Sequence, residues 1–131
     1  MYYKINEEAA KRANDANRFC EYQQGSATAN YHRMVDKAVE IAENQKKRVD
    51  SMHHDKIDWL LDTYCRKLAD NLNARNAIDA RVPSVMISGG SNFPVGKKAK
   101  QNAARDRNYE EYRNIEGLLD KIRSTGMGGI S

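Results

Sequence analysis

A polar turn precedes a basic segment that is predicted to be helical. The turn consists of Ser88, Gly89, Gly90, Ser91 and Asn92. Such a turn can point several backbone N–H groups at one place, and a helix N-terminus adds about half a positive charge there. These features suit a bound phosphate or a similar anion. The same composition is also typical of a plain connecting turn, so both interpretations stay open.

The basic segment carries the other candidate binding residues. Spacings of three and four place Lys97, Lys98, Gln101, Arg105 and Asn108 near one helical face, which could lie along a phosphate backbone. A charged helical face is also commonly just solvated. Gly96-Lys97 is followed by lysine, so the segment lacks the P-loop spacing of nucleotide hydrolases. The predicted phosphate-binding or partner-binding residues are Ser88, Gly89, Gly90, Ser91, Asn92, Lys97, Lys98, Lys100, Gln101, Arg105 and Arg107.

The chain offers little for catalysis or metal binding. His54 and Asp58 are four residues apart and can share a helical face, but His53 diverges from His54 by about 100° and no third ligand is evident. Neither cysteine is placed near a histidine that could act as its base. We therefore expect no catalytic residues, no metal site and no cofactor, and predict that the protein is not an enzyme.

Composition favours a single helical domain with a large surface. Charged residues make up 31% of the 131 residues and hydrophobic residues 40%, against about 25% and about 45–50% in typical domains. We expect one domain over residues 1–125 and a flexible tail over residues 126–131. The net charge of +4 mildly favours polyanionic partners.

The cysteines and the hydropathy of the chain indicate its cellular compartment. Cys20 and Cys65 are far apart in the sequence and form no CxxC motif, as in a reduced cytoplasmic protein. No apolar run approaches the roughly 20 residues that a membrane helix needs. We expect a soluble cytoplasmic protein with no membrane partner.

Capping signals and apolar spacing predict the first two helices. The first begins at Asn6 as N-cap and ends at Phe19 or Cys20. A break at residues 23–25 separates it from the second helix, for which Ser26 is the predicted N-cap. The buried stripe of the second helix is predicted to contain Tyr31, Val35, Ala38, Ala42 and Val49.

The remaining elements are a third helix, a short extended segment and a fourth helix. Near residues 50–51 the chain either turns or continues as one long helix, and the turn is favoured. The third helix is predicted to fade between residues 71 and 76. Residues 81–87 read as extended and could pair with residues 2–5 in a minimal ribbon or pack over the helices. The fourth helix is predicted from Val95 to Ser124. Its expected inward residues are Tyr109, Tyr112, Ile115, Leu119 and Ile122, with Gly117 at a close contact.

The predicted fold class is therefore all-α, with about four helices in long antiparallel packing and one extended loop that contains glycine and serine. The apolar stripes could close within one chain or across a two-fold axis, so a homodimer is possible.

Four segments carry a resemblance to a known group of proteins. They are YKINEEAA at residues 3–10, GSATA at 25–29, ARVPSVMISGGSNFPV at 80–95 with its continuation through Lys97-Lys98 to Asp106-Arg107-Asn108, and LLDKIRSTGMGGIS at 118–131. In these segments the chain resembles the N-terminal region of uncharacterised phage and conjugative-element proteins of gut Firmicutes. It has Gly96 where a basic residue is expected. The longer relatives continue further, so the chain resembles a stand-alone version or a fragment.

The resemblance implies a context of mobile genetic elements, whose small proteins often handle DNA or inhibit host defences. The leading hypothesis is a non-enzymatic protein that engages a nucleic-acid machine in the bacterial cytoplasm, as a counter-defence inhibitor of the anti-CRISPR type. Its partner would be a host defence nuclease or nucleoprotein complex. The alternatives are a module that binds DNA or RNA directly, and a binder of a phosphorylated nucleotide signal.

Overall fold

The structure is a computed structural model that describes residues 2–17, 20–81 and 95–127. The predicted turn at residues 88–92 and nearly all of the extended segment lie outside the described residues. Four α-helices and no strand occur in the described part, so the all-α prediction is confirmed there. The helices are α1 (Glu7–Asn17), α2 (Ser26–Arg48), α3 (His54–Asp79) and α4 (Val95–Ser124), and a 3₁₀ turn (Ser51–His53) precedes α3.

Helix α3 is the centre of the fold and contacts each of the other three helices. Its stripe of large apolar residues is buried because it faces α1, α2 and α4 in turn. The predicted members Ile57, Leu61, Tyr64 and Leu68 are all buried, and Leu72 packs against this core at its edge. Trp59 is 65% exposed and lies outside the core.

The start of α1 follows the prediction, whereas the start of α2 does not. The side-chain oxygen of Asn6 accepts a hydrogen bond from the Ala9 amide at 3.0 Å, as an N-cap does. The prediction of Ser26 as N-cap is wrong: Gly25 occupies that position, with a φ of 88° that favours glycine.

The N-terminal amides of α2, which have no partner within the helix, donate to a carboxylate from another helix. Glu7, in the first turn of α1, accepts hydrogen bonds at 2.9 Å from the Gly25 amide and the Thr28 amide. It also accepts from the Thr28 hydroxyl at 2.6 Å and from the Tyr22 hydroxyl. Burial alone would raise the pKa of Glu7. The four hydrogen bonds outweigh this effect and lower the pKa to about 2. Glu7 therefore joins α1 to the N-terminus of α2.

The N-terminal segment is held by α2 and α3. The Tyr31 hydroxyl accepts a hydrogen bond from the Tyr3 amide at 3.1 Å and donates one to the Cys65 carbonyl at 2.7 Å. Asn73 accepts from the Asn6 amide and donates to the Lys4 carbonyl. Residues 2–5 thus lie against helices and form no strand in the described structure.

Helix α3 continues past residues 71–76, where it was predicted to fade, and ends at Asp79. Asn71, which is 0% exposed, donates to the carbonyl of Asn108 on α4 at 3.0 Å. Further contacts between these helices join Tyr64 to Glu116 and Ile78 to Gln101.

Helix α4 has the predicted bounds but not all of the predicted inward residues. Ile115 and Ile122 are buried, and Tyr112 and Leu119 are half-buried. The prediction for Tyr109 is wrong, since its side chain is 57% exposed. The close contact expected at Gly117 is absent, because an added Cβ would meet nothing within 4 Å.

Candidate functional site

Only part of the predicted anion site lies within the residues that the structure describes. Its turn, residues 88–92, lies outside the described residues. Its six other members, Lys97, Lys98, Lys100, Gln101, Arg105 and Arg107, lie on the first half of α4.

Two residues of the predicted phosphate-facing side are turned into the protein. Gln101 is 1% exposed, and its side-chain N–H donates to the Ile78 carbonyl at 2.7 Å. Asn108 is 7% exposed and contacts Asn71. The sequence spacing identified one face, but the interpretation of that face as solvent-exposed is wrong at these two positions. The reason is that a buried amide can be satisfied by helix carbonyls, so polar residues also mark a packing face.

Arg105 and Lys98 lie at the border of this packing face. The Arg105 guanidinium pairs with the Asp79 carboxylate at 2.7 Å, and both side chains are about one-third exposed. Burial and the nearby Arg105 lower the pKa of Lys98, and Asp79 opposes this change. Arg105 thus pairs with Asp79 of α3, and the Asp79 carboxylate is partly exposed to solvent.

The three other cations of the segment face solvent. Lys97, Lys100 and Arg107 are exposed and form no ion pair with a described residue. Lys100 and Arg107 are seven residues apart, which places them on one side of α4 with an axial separation of about 10 Å. We call Lys97, Lys100 and Arg107 the α4 basic surface.

The charge of the chain is concentrated around this surface. Residues 95–107 contain five cations and the single anion Asp106, so their net charge of +4 equals that of the whole chain. The rest of the protein is neutral on balance. A local excess of this kind attracts a polyanion more strongly than the same charge spread over the surface.

A groove that sequence reasoning missed lies between α2 and α4, with α3 along its floor. One part has a volume of about 580 Å³ and a rim that includes Arg33, Lys37 and Arg75. An adjoining part of about 820 Å³ extends past Cys20 and Tyr109. We call the first part the α2–α4 groove. Its residues come from the N-terminal segment and three helices, and the only local signal was the four-residue spacing of Arg33 and Lys37 on the polar side of α2.

Arg75 is held in place at the rim of this groove. Its guanidinium lies over the ring of Tyr112, at 5.2 Å from the ring centroid. Its Nε donates to the side-chain oxygen of Asn108 at 3.3 Å. A cation fixed in this way is presented to a ligand with little further loss of side-chain entropy.

The histidine and aspartate considered as metal ligands are occupied by structural contacts. The Nε2 atom of His54 is 2.9 Å from the Lys46 carbonyl oxygen, and Asp58 forms an ion pair with the Lys46 ammonium. No group of three or more potential ligands comes together within the parts of the chain that the structure describes.

The cysteines differ in environment. Cys65 is buried, and burial raises the pKa of its thiol to about 11, so it is protonated at neutral pH. Cys20 is exposed at the edge of the adjoining part of the groove. A buried protonated thiol is a poor nucleophile, and Cys65 acts as a core residue.

None of the helices in residues 2–17, 20–81 and 95–127 has the length and apolar character needed to cross a membrane. Comparison of the chain with models of protein families, with curated proteins and with solved structures gave no match.

Proposed function

We propose that this protein is a non-enzymatic binding protein that engages a nucleic-acid machine through the α4 basic surface. The observation that carries the proposal is the location of the entire net charge, +4, in residues 95–107. Three of these cations are exposed and form no ion pair with a described residue. Cations in this arrangement can replace the counterions of phosphates.

The sign of the charge favours one mode of engagement. A nuclease channel that holds nucleic acid is itself basic, so it would repel the α4 basic surface. The nucleic acid within the machine is the complementary partner. We therefore propose contact with the guide or substrate strand of a host defence nucleoprotein.

The biological role that we propose follows the sequence resemblance. A protein of a phage or conjugative element that binds such a complex in the host cytoplasm would act as a counter-defence inhibitor of the anti-CRISPR type. Inhibition by binding requires shape and charge and no reaction centre. The order of contacts from α3 to α4, with Tyr64 near Glu116 and Ile78 near Gln101, supports an antiparallel pair, and we extend this arrangement to the whole bundle.

Direct binding of free DNA or RNA is the second candidate, and the exposure of Lys97, Lys100 and Arg107 favours it equally. Three phosphate contacts would give a slope of about −2 to −3 for the logarithm of affinity against the logarithm of salt concentration. Binding that is independent of sequence, with this slope, would identify a simple nucleic-acid-binding module.

The two candidates are separated by affinity capture from a lysate of a bacterium with active defence nucleases. The tagged protein is incubated with the lysate before and after nuclease digestion, and bound protein and nucleic acid are both identified. Recovery of one defence nuclease with its protected strand supports the inhibitor. Recovery of mixed nucleic acid alone, lost at higher salt, supports the direct binder.

A charge-reversal variant tests whether the α4 basic surface is the binding surface. Lys97→Glu/Lys100→Glu/Arg107→Glu is expected to abolish capture with helical circular dichroism unchanged. The control Lys47→Glu/Arg48→Glu/Lys67→Glu changes three exposed cations elsewhere and alters net charge by the same amount. Equal loss in both variants would show that only overall charge matters, and retention in the first would exclude the α4 basic surface.

A further inference from the structure

We propose that the α2–α4 groove binds a nucleoside phosphate, with the base against its floor and the phosphate at its cationic rim. The nucleoside phosphate is either free or one unit of a single strand. The groove would be a second contact for the partner of the proposed function, on which this assignment rests.

The rim is suited to phosphate. Arg33 and Lys37 are exposed on α2, and Arg75 approaches from α3. None of the three forms an ion pair with a described residue, and no Asp or Glu is among the described residues that line this groove. The groove therefore offers three cations with no neutralising carboxylate in its lining.

The floor is suited to a flat apolar group. Four apolar or aromatic residues line the groove: Ile5, which is 5% exposed, and Met34, Leu72 and Tyr112, which are half-buried. Bases stack on aromatic and apolar side chains in single-stranded nucleic acid complexes. A volume of about 580 Å³ is within the roughly 300–1,000 Å³ typical of small-ligand sites.

The lining of the groove also contains polar groups that could form hydrogen bonds with the edge of a base. Asn30 and Asn76 also line it, and each amide offers N–H donors, while the side-chain oxygen of Asn30 accepts a hydrogen bond from Arg33. A base reaches this floor only if it is unpaired, because a duplex presents its phosphates and conceals its bases. The chemistry thus favours a nucleotide or a single strand over a duplex.

The direct test measures binding of ADP that carries an N-methylanthraniloyl fluorophore to the full chain, by fluorescence anisotropy. Arg33→Gln/Lys37→Gln, two exposed positions, is expected to weaken binding about tenfold or more, because phosphate contacts are lost. The matched control Lys47→Gln/Arg48→Gln removes two exposed cations from the same helix, outside the groove, and is expected to leave affinity within about twofold.

Competition then identifies the source of the nucleotide. Displacement of the probe by unlabelled ADP but not by a short oligodeoxyadenylate, which carries the same base, indicates a free nucleotide. Displacement by the oligodeoxyadenylate indicates a strand. Absence of probe binding, equal weakening in both double variants, or equal displacement by a short polyglutamate peptide would overturn the assignment.

The experiments can refute the proposal for the groove and the proposal for the α4 basic surface separately. Lys97→Glu/Lys100→Glu/Arg107→Glu is expected to abolish capture of nucleic acid and to leave probe binding in place. Probe binding that depends on Arg33 and Lys37 in a wild-type protein that captures no nucleic acid would refute the proposed function alone. Capture without probe binding would refute the groove alone.

Discussion

Asn71 on α3 and Asn108 on α4 each donate a side-chain N–H to the other's backbone carbonyl oxygen, at 3.0 and 3.1 Å. Both side chains are buried, at 0% and 7% exposure. The pair satisfies two amides inside the helix interface and fixes the register of α3 against α4. The side-chain oxygen of Asn71 has no hydrogen-bond partner in the described structure, so the pair also carries an energetic cost.

We predict that Asn71→Ala and Asn108→Ala each lower the free energy of unfolding by about 2 kcal/mol, because each removes a buried hydrogen bond between the helices and opens a cavity. The double variant is expected to lose about 1 kcal/mol less than the sum, since the two side chains lie side by side and the cavities that their removal opens are shared. Urea unfolding measures these values. Additive losses would show that the residues act independently, and exposed Asn114→Ala serves as a control with little effect.

Glu7 makes stability depend on pH. Its pKa is lowered from 4.5 to about 2, so its contribution is present above pH 4.5 and is lost as pH falls towards 2. We expect Glu7→Gln to destabilise the protein by about 2–3 kcal/mol at neutral pH, and the difference from wild type to shrink below pH 4. Urea unfolding at several pH values tests this.

Glu8→Gln is the matched control for that variant. Glu8 is exposed and pairs with Arg12 four residues away, at 2.7 Å, so its loss is expected to cost under about 0.5 kcal/mol. A loss in Glu7→Gln that is no larger, or that does not change with pH, would contradict the capping role of Glu7.

Gly126 and Gly117 are predicted to respond in opposite directions to alanine. Gly126 has a φ of 77°, and an added Cβ would lie 2.9 Å from Cγ1 of Val49. Gly126→Ala is therefore expected to cost about 2 kcal/mol or more. Gly117 is inside α4 with open space around it, so Gly117→Ala is expected to stabilise by about 0.5–1 kcal/mol. Thermal unfolding reports both, and equal signs would contradict the local geometry.

Release of Arg105 is predicted to strengthen binding of polyanions. Asp79→Asn removes the carboxylate that pairs with Arg105 at 2.7 Å, and a partly exposed pair contributes under about 1 kcal/mol to stability. The free guanidinium then adds a fourth cation beside the α4 basic surface. We expect higher affinity for nucleic acid with a steeper salt dependence. Unchanged affinity at low salt would place the binding surface away from Arg105.

The sequence was sufficient for the fold class and for the bounds of α4, because the turns and apolar spacing are strong local signals. It identified the buried stripe of α3 for the same reason. It failed at Ser26, since Gly25 is the N-cap and the first amides of α2 donate to Glu7 of another helix. It also failed at Gln101, since a polar residue at a packing position looks like a surface residue. The α2–α4 groove needed tertiary structure, because Arg33 and Arg75 approach each other only after folding.

The carboxylate of Glu7 controls amide exchange at the start of α2. The Gly25 and Thr28 amides can exchange their protons with solvent only when the Glu7 carboxylate releases them. We expect their exchange to be slower than that of ordinary first-turn amides, because it needs a rotation of the Glu7 side chain or a movement of α1. Protection of these two amides therefore reports the contact between the first turns of α1 and α2.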